Sequence, residues 1–327
     1  MLAYIVIPLS FIITFTALKR WIKSAKKIGM EGYDMNKLSK PKVVESGGVC
    51  VIFGISIAIL SFVFIESFYF NEKNNLLQIF TLLSSILMAG LIGFVDDVLG
   101  WKKGLKQWQK PLLTIPVAIP LMAINAGNSI MSLPFLGNFD FGILYSLIII
   151  PVGLIGATNG FNMLAGYNGL ESGMSIVILS TLGIKAYMSG IFWLTILIFS
   201  AVFSLVAFLK FNWYPAKIFP GNSLTYLVGA MIASFAILGD MEKTAIILFL
   251  PYFLTFALKA RSRFRAESFA KVGKDGGLSK PYKKFYDVTH VSLAILNKLK
   301  NKVSEKDVVL FIIGIEILIS AIALMFV

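Results

Sequence analysis

Two adjacent carboxylates close an apolar run in Gly93-Phe94-Val95-Asp96-Asp97-Val98-Leu99-Gly100, and Lys102, Lys103, Lys106 and Lys110 follow at once. Acids at the edge of an apolar helix are costly unless a metal, a cation or water receives them. Neighbouring side chains on a helix diverge by about 100°, so the two carboxylates cannot face one ligand equally. Acids beside a lysine cluster suit metal or phosphate chemistry, and equally a solvated helix end. A second block, Asn159-Gly-Phe-Asn162-Met-Leu-Ala-Gly166-Tyr-Asn168-Gly169-Leu-Glu171, concentrates amides and glycines and has no basic residue. Asn159 and Asn162 share a face if the segment is helical. Amide oxygens ligate hard cations, and Asn168-Gly169 marks a turn; capping and turn formation would use the same residues without chemistry.

A third block, Asn212-Trp-Tyr-Pro-Ala-Lys217-Ile-Phe219-Pro-Gly-Asn222-Ser223, places aromatics beside a turn that caps the next apolar run. The aromatics suit a membrane-interface belt, and a helix N-terminus with free N–H groups is an anion site. A fourth, Arg261-Ser-Arg263-Phe-Arg265, offers guanidinium forks for phosphate. Ordinary loop charge or anionic lipid headgroups account for it equally well.

The elements that must carry these blocks are set by composition. Of the 327 residues, 57% are hydrophobic and only 14% charged, and the mean hydropathy is +0.82. Soluble domains carry about a quarter charged residues, so a water-soluble globule is excluded, and disorder requires the opposite composition. One cysteine (Cys50) excludes an internal disulfide framework, and one histidine (His290) excludes a multi-histidine metal centre. Bilayer crossing takes about 20 mostly apolar residues. Ten windows qualify: 2–18, 47–65, 77–95, 111–126, 141–158, 173–189, 190–209, 223–239, 244–258 and 308–327. In lipid the backbone must be satisfied internally, which makes these runs helices. The fold expected is an all-α polytopic membrane protein of about ten spans, one domain over 1–327, with a long cytoplasmic loop at 259–307.

Of the 30 lysines and arginines, 27 fall in the odd-numbered connections. By the positive-inside rule those loops are cytoplasmic and both termini external. The four blocks then share the cytoplasmic face. Glu316 alone lies deep in a window, where it reads as a helix-packing partner. A short amphipathic helix over 286–301, carrying His290, is expected at the membrane surface.

Together the blocks resemble the polyprenyl-phosphate N-acetylhexosamine-1-phosphate transferase superfamily. The branch most similar is that of the UDP-GlcNAc–dolichyl-phosphate GlcNAc-1-phosphate transferases. The resemblance runs in order from about residue 31 to 265, through Lys40-Pro-Lys-Val-Val-Glu45-Ser-Gly-Gly48 and the first three blocks above. Ala165, where cell-wall members typically carry aspartate, favours this branch. The resemblance implies that a lipid phosphate attacks the β-phosphorus of a UDP-sugar and UMP leaves, assisted by Mg²⁺ or Mn²⁺. It implies Asn162 and Asn222 as metal ligands and Phe219 as the ring that stacks on uracil. Gly166 and Asn168 match the uracil-recognising loop, and Glu45 an acid near the nucleoside. Lys110, with Lys106 as the alternative register, matches a diphosphate contact, as do Arg261 and Arg263. Asp96 and Asp97 match the paired aspartates, and are expected to orient the acceptor, the metal or Lys110.

One position departs from the pattern, because Asn222 stands where the family places a second, charged metal ligand. Weaker metal binding or lower activity is expected, and an impaired family member is one alternative. A carrier for an anionic solute is another; it explains the basic loops but not the gathering of amides, acids and an aromatic turn on one side. Direct attack is favoured over an aspartyl-phosphate route. The partners expected are UDP-GlcNAc, a polyprenyl or dolichyl phosphate and membrane lipids, with no nucleic acid, and a homodimer is the oligomer expected. The location favoured is a prokaryotic, archaeal-type plasma membrane over the endoplasmic reticulum.

Overall fold

A computed structural model describes residues 2–100, 104–133 and 137–326. The helices are α1 (Val6–Lys27), α2 (Gly48–Phe68), α3 (Leu76–Leu99), α4 (Gln109–Thr114), α5 (Ile119–Ala123), α6 (Ile150–Phe161), α7 (Leu170–Met188), α8 (Phe192–Asn212), α9 (Gly221–Leu238), α10 (Glu242–Leu248), α11 (Leu250–Ala260), α12 (Val288–Leu299) and α13 (Glu305–Phe326). Each apolar window of the sequence falls on helix. Among the described residues, six helices are long and apolar enough to cross a bilayer, namely α1 with the turn before it, α2, α3, α8, α9 and α13. A seventh arises if α10 and α11, bent by 53° at their junction, form one span.

Proline explains the shorter pieces. Pro116 and Pro120 divide the 111–126 window into α4, a 3-10 turn (Ile115–Ala118) and α5. Each removes an N–H and clashes with the preceding turn. Pro251 sits at the bend between α10 and α11, and Pro151 opens α6 directly after a π-helical turn.

α9 runs through the centre, with every residue from Ser223 to Ile237 buried. It packs against α3, α6, α2 and α7, while α1 packs on α2 and α8, and α13 on α7. The outer helices expose large apolar side chains, such as Leu318 and Ile322 on α13, as a lipid-facing surface must. A Cβ on Gly93 of α3 would lie 2.3 Å from the carbonyl oxygen of Asn222 at the start of α9. Overpacking of this kind costs about 1–3 kcal/mol. Gly93→Ala should therefore lower the melting midpoint of the detergent-solubilised protein; an unchanged midpoint would contradict this α3–α9 approach.

Two expectations change. Among the described residues three short antiparallel strand pairs occur, of which the first joins β1 (Glu31–Tyr33) to β2 (Lys42–Val44); strands of two to four residues are too short to show alternation in sequence. Glu316 is fully buried, as a helix-packing residue is expected to be, and neither carboxyl oxygen has a hydrogen-bond partner among the described residues. α12 does form within 286–301, but Val288, His290, Leu293 and Leu296 are buried and only Ile295 and Leu299 remain as exposed large apolar side chains.

Candidate active site

Backbone contacts draw separate connections together at the N-terminal end of α9. Phe219 N donates to Val44 O at 2.7 Å, and Gly47 and Gly48 N–H groups donate to Phe219 and Pro220 carbonyls at 3.0 Å each. This stitches the Glu45 segment to the Phe219 turn. A cleft of about 570 Å³ opens beside the seam. The acids Glu45, Asp96 and Asp97, the amides Asn162, Asn168 and Asn222, and Lys110, Gly166 and Phe219 all line it. Arg261 and Arg263 are not among its lining residues. They are exposed on the turn after α11, where Arg263 and Phe264 both adopt left-handed backbone.

The paired aspartates point different ways, as their helical spacing requires. Asp96 Oδ2 pairs with Lys110 Nζ at 2.8 Å and accepts from Asn222 Nδ2 at 2.7 Å, while its Oδ1 accepts from Leu105 N at 2.6 Å. Lys106 also lines the cleft, but Lys110 makes the ion pair. Asp97 instead faces the first turn of α9. It accepts from Asn222 N at 2.6 Å, Ser223 N at 3.2 Å and Ser46 Oγ at 2.8 Å. The helix N-terminus expected to be open to an anion therefore already holds the protein's own carboxylate, which satisfies two of its orphan N–H groups.

The amides divide similarly. Asn159 donates to Thr114 Oγ1 and Ile155 O, both at 2.9 Å, and serves packing. Asn162 lies in the cleft, and its Oδ1 accepts from Thr225 Oγ1 at 3.0 Å. Asn222 gives its nitrogen to Asp96, which leaves its amide oxygen free of that carboxylate. Among the described residues no three acidic, histidine or cysteine side chains converge on a metal site. Asn162, Asn222 and Asp96 together offer hard oxygens with a single carboxylate. That set fits Mg²⁺ when substrate phosphates complete the shell.

Burial pushes the Glu45 carboxyl up to about 7, with the Asp97 charge adding to the effect. Between its ordinary value of 4.5 and about 7, the folded chain keeps a proton that the unfolded chain has released. Stability then falls as pH rises through that window and levels off above it. The melting midpoint should decline between pH 5 and 7.5 in metal-free buffer, and Glu45→Gln should flatten the decline. An identical pH slope in the variant would contradict this assignment.

Residues that sequence reasoning missed hold the Gly166–Asn168 loop. Asn36 Nδ2 donates to Gly166 O at 2.8 Å, and its Oδ1 accepts from Ala270 N at 3.0 Å. Asn168 N donates to Glu305 Oε1 at 2.7 Å and Asn168 Nδ2 to Asp34 Oδ2 at 3.0 Å. Gly166 N donates to Glu171 Oε1 at 2.9 Å. Phe269 lines the cleft, and its ring lies where a Cβ on Gly166 would sit, at 2.9 Å. Gly166 has φ +103°, a backbone that favours glycine on its own account. An aspartate in a basic loop and a glutamate 137 residues beyond its partner give no local signal.

A multi-pass helical bundle with a polar cleft at its helix ends is the class defined by this geometry. The chain belongs to glycosyl transferase family 4, whose pattern matches residues 79–240, and it is a transferase of that family. The matched range contains Asp96, Asp97, Asn162, Asn168, Phe219 and Asn222. A Sulfolobus acidocaldarius protein, provisionally named UDP-N-acetylglucosamine–dolichyl-phosphate N-acetylglucosaminephosphotransferase, is 37% identical over 97% of this chain and 93% of its own length. A Saccharolobus solfataricus protein with the same provisional name is 37% identical over 97% of this chain and 94% of its own. The Dictyostelium discoideum UDP-N-acetylglucosamine–dolichyl-phosphate N-acetylglucosaminephosphotransferase is 30% identical over 69% of this chain and 64% of its own.

Proposed function

We propose that this protein transfers GlcNAc-1-phosphate from UDP-GlcNAc to a polyprenyl or dolichyl phosphate and releases UMP, as the membrane step that opens lipid-linked glycan synthesis. The observation that carries this reading is the cleft itself. Acids, amides, a lysine and an aromatic turn from connections far apart in sequence line one cavity at the ends of apolar helices. An amphiphilic acceptor with a charged head needs a site at such a boundary.

Phosphoryl transfer calls for positioning and charge neutralisation more than covalent help. The acceptor monoester has a second pKa of about 6, so much of it is dianionic at neutral pH and needs little general base. One of its oxygens forms a bond to the β-phosphorus. The bond from that phosphorus to the bridging oxygen breaks, and the electron pair leaves on UMP. Lys110, held by Asp96, sits where it can neutralise phosphate charge. Phe219 supplies a ring for the uracil, and Gly166 and Asn168 its polar edge. Asn162 and Asn222, beside Asp96, would hold Mg²⁺, with Mn²⁺ as a substitute; the ion would supply further neutralisation of the diphosphate. Arg261 and Arg263 would reach the substrate only if their turn moves toward the cleft.

The concentration of basic residues in alternate connections supports a cytoplasmic orientation for this face, and with it go ten spans, external termini and a single domain, in an archaeal-type plasma membrane. The test uses purified protein, labelled UDP-GlcNAc, Mg²⁺ and a short polyprenyl phosphate. Organic-extractable label with matching UMP release is the expected result. If neither the natural chain nor an Asn222→Asp variant yields both, the transferase reading fails. Inversion at a chiral β-phosphorus is expected for direct attack, and retention would require a covalent intermediate.

A further inference from the structure

We infer that Asp34 sets the base selectivity of the cleft: it fixes the Asn168 amide so that an acceptor oxygen meets the base and a uracil-type imide N–H is chosen over a cytosine ring nitrogen. This rests on the reading that the cleft takes a uridine nucleotide.

The argument begins with the chemistry of the two side chains. An ionised carboxylate can only accept hydrogen bonds, whereas an amide has one donating and one accepting end. Which way an amide points is therefore decided by its fixed neighbours. Asp34 is 4% exposed and lies 3.0 Å from Asn168 Nδ2. Only the nitrogen end of the amide can face it. Asn168 Oδ1 has no protein donor among the described residues, and the residue lines the cleft.

The carboxylate is itself held in place. Lys37 Nζ binds the same Asp34 oxygen and reaches Glu305 Oε2 at 3.1 Å, so one ammonium bridges two buried acids. Glu305 Oε1 takes the backbone N–H of Asn168 at 2.7 Å. The Asn168 backbone and side chain are thus anchored by separate acids that share one cation, which blocks rotation of the amide.

Uracil presents an N–H donor at ring position 3, and cytosine presents a lone pair there. A fixed acceptor rewards the first and repels the second. Sites built around a hydrogen bond reject analogues lacking the matching group by large factors, because a buried polar group is left unpaired. Asp34 also borders the cleft; in this account it acts through the Asn168 amide, as a positioning residue.

The test measures binding of UMP, CMP and N3-methyl-UMP to the full-length protein in detergent, directly and as inhibition of transfer. The natural chain should favour UMP over both others by at least about tenfold. Asp34→Asn presents either end of its own amide to Asn168, so it should reduce the UMP:CMP preference by about tenfold. The same variant should raise KM for UDP-GlcNAc while leaving kcat little changed. An unchanged preference in a folded Asp34→Asn protein overturns the inference. So does N3-methyl-UMP binding as tightly as UMP, a measurement on the natural chain that needs no variant to fold. Selective UMP binding without any transfer would sustain the selectivity argument while the transferase reading fails; binding of neither nucleotide would sink both.

Discussion

Replacing Asp96 by asparagine should reduce kcat by about 10²–10³-fold, the effect usual for removing one preorganised electrostatic contact from a reacting centre. Asp96 is 3% exposed, and its two oxygens hold three groups: Lys110, the Asn222 amide and the Leu105 N–H. An asparagine of the same shape keeps one accepting oxygen but removes the charge that positions Lys110, and its own NH₂ would confront the ammonium or the Asn222 amide. The uridine end of the cleft is built from other residues, chiefly Phe219 and the Gly166–Asn168 loop. UMP affinity should therefore change far less than kcat. UMP release at saturating substrates, beside direct UMP binding, separates the two quantities. A kcat within a few-fold of the natural enzyme would remove Asp96 from the reaction.

Replacing Asp97 by alanine should act on the fold. Its carboxylate receives two backbone N–H groups at the start of α9 and the Ser46 hydroxyl. An unsatisfied buried donor costs about 1–3 kcal/mol, so two stranded N–H groups amount to about 2–6 kcal/mol. Against a total stability of about 5–15 kcal/mol this is a large share. The seam between α2, α3 and α9 closes on that same turn, and its loosening would spread to the cleft. Asp97→Asn retains one acceptor and should fall between the natural chain and the alanine variant. Unfolding in micelles, followed by heat or denaturant, reads the difference. An alanine variant that melts normally while losing activity would show that Asp97 serves chemistry, with the helix cap incidental.

These two expectations divide a pair that looks uniform in sequence. Asp96-Asp97 marks a boundary where acids meet basic loops, and helical geometry says the two must diverge. It does not say which one faces the cleft and which the neighbouring helix, because the decisive partners lie 125 and 126 residues away. The helical windows were legible because lipid leaves few alternatives for an apolar run. Their interruptions at Pro116, Pro120 and Pro251 could be anticipated from the missing N–H alone. Nine of the residues singled out by resemblance line one cleft, whereas Arg261 and Arg263 do not, since nothing local reveals the left-handed reversal at Arg263. The clamp of Asp34, Lys37 and Glu305 was illegible for another reason. Each is an ordinary loop charge until the fold brings 268 residues of separation down to one ion pair.

The central claim, that this cleft holds the uridine diphosphate sugar, is open to direct mapping. The protein would be irradiated with a 5-azido analogue of UDP-GlcNAc, with and without excess UMP, and the labelled peptides identified by mass spectrometry. UMP-protected label on the peptides carrying Phe219 or Gly166–Asn168 is the predicted result. Label confined to the exposed 261–265 turn, or spread over the chain without protection by UMP, would contradict it.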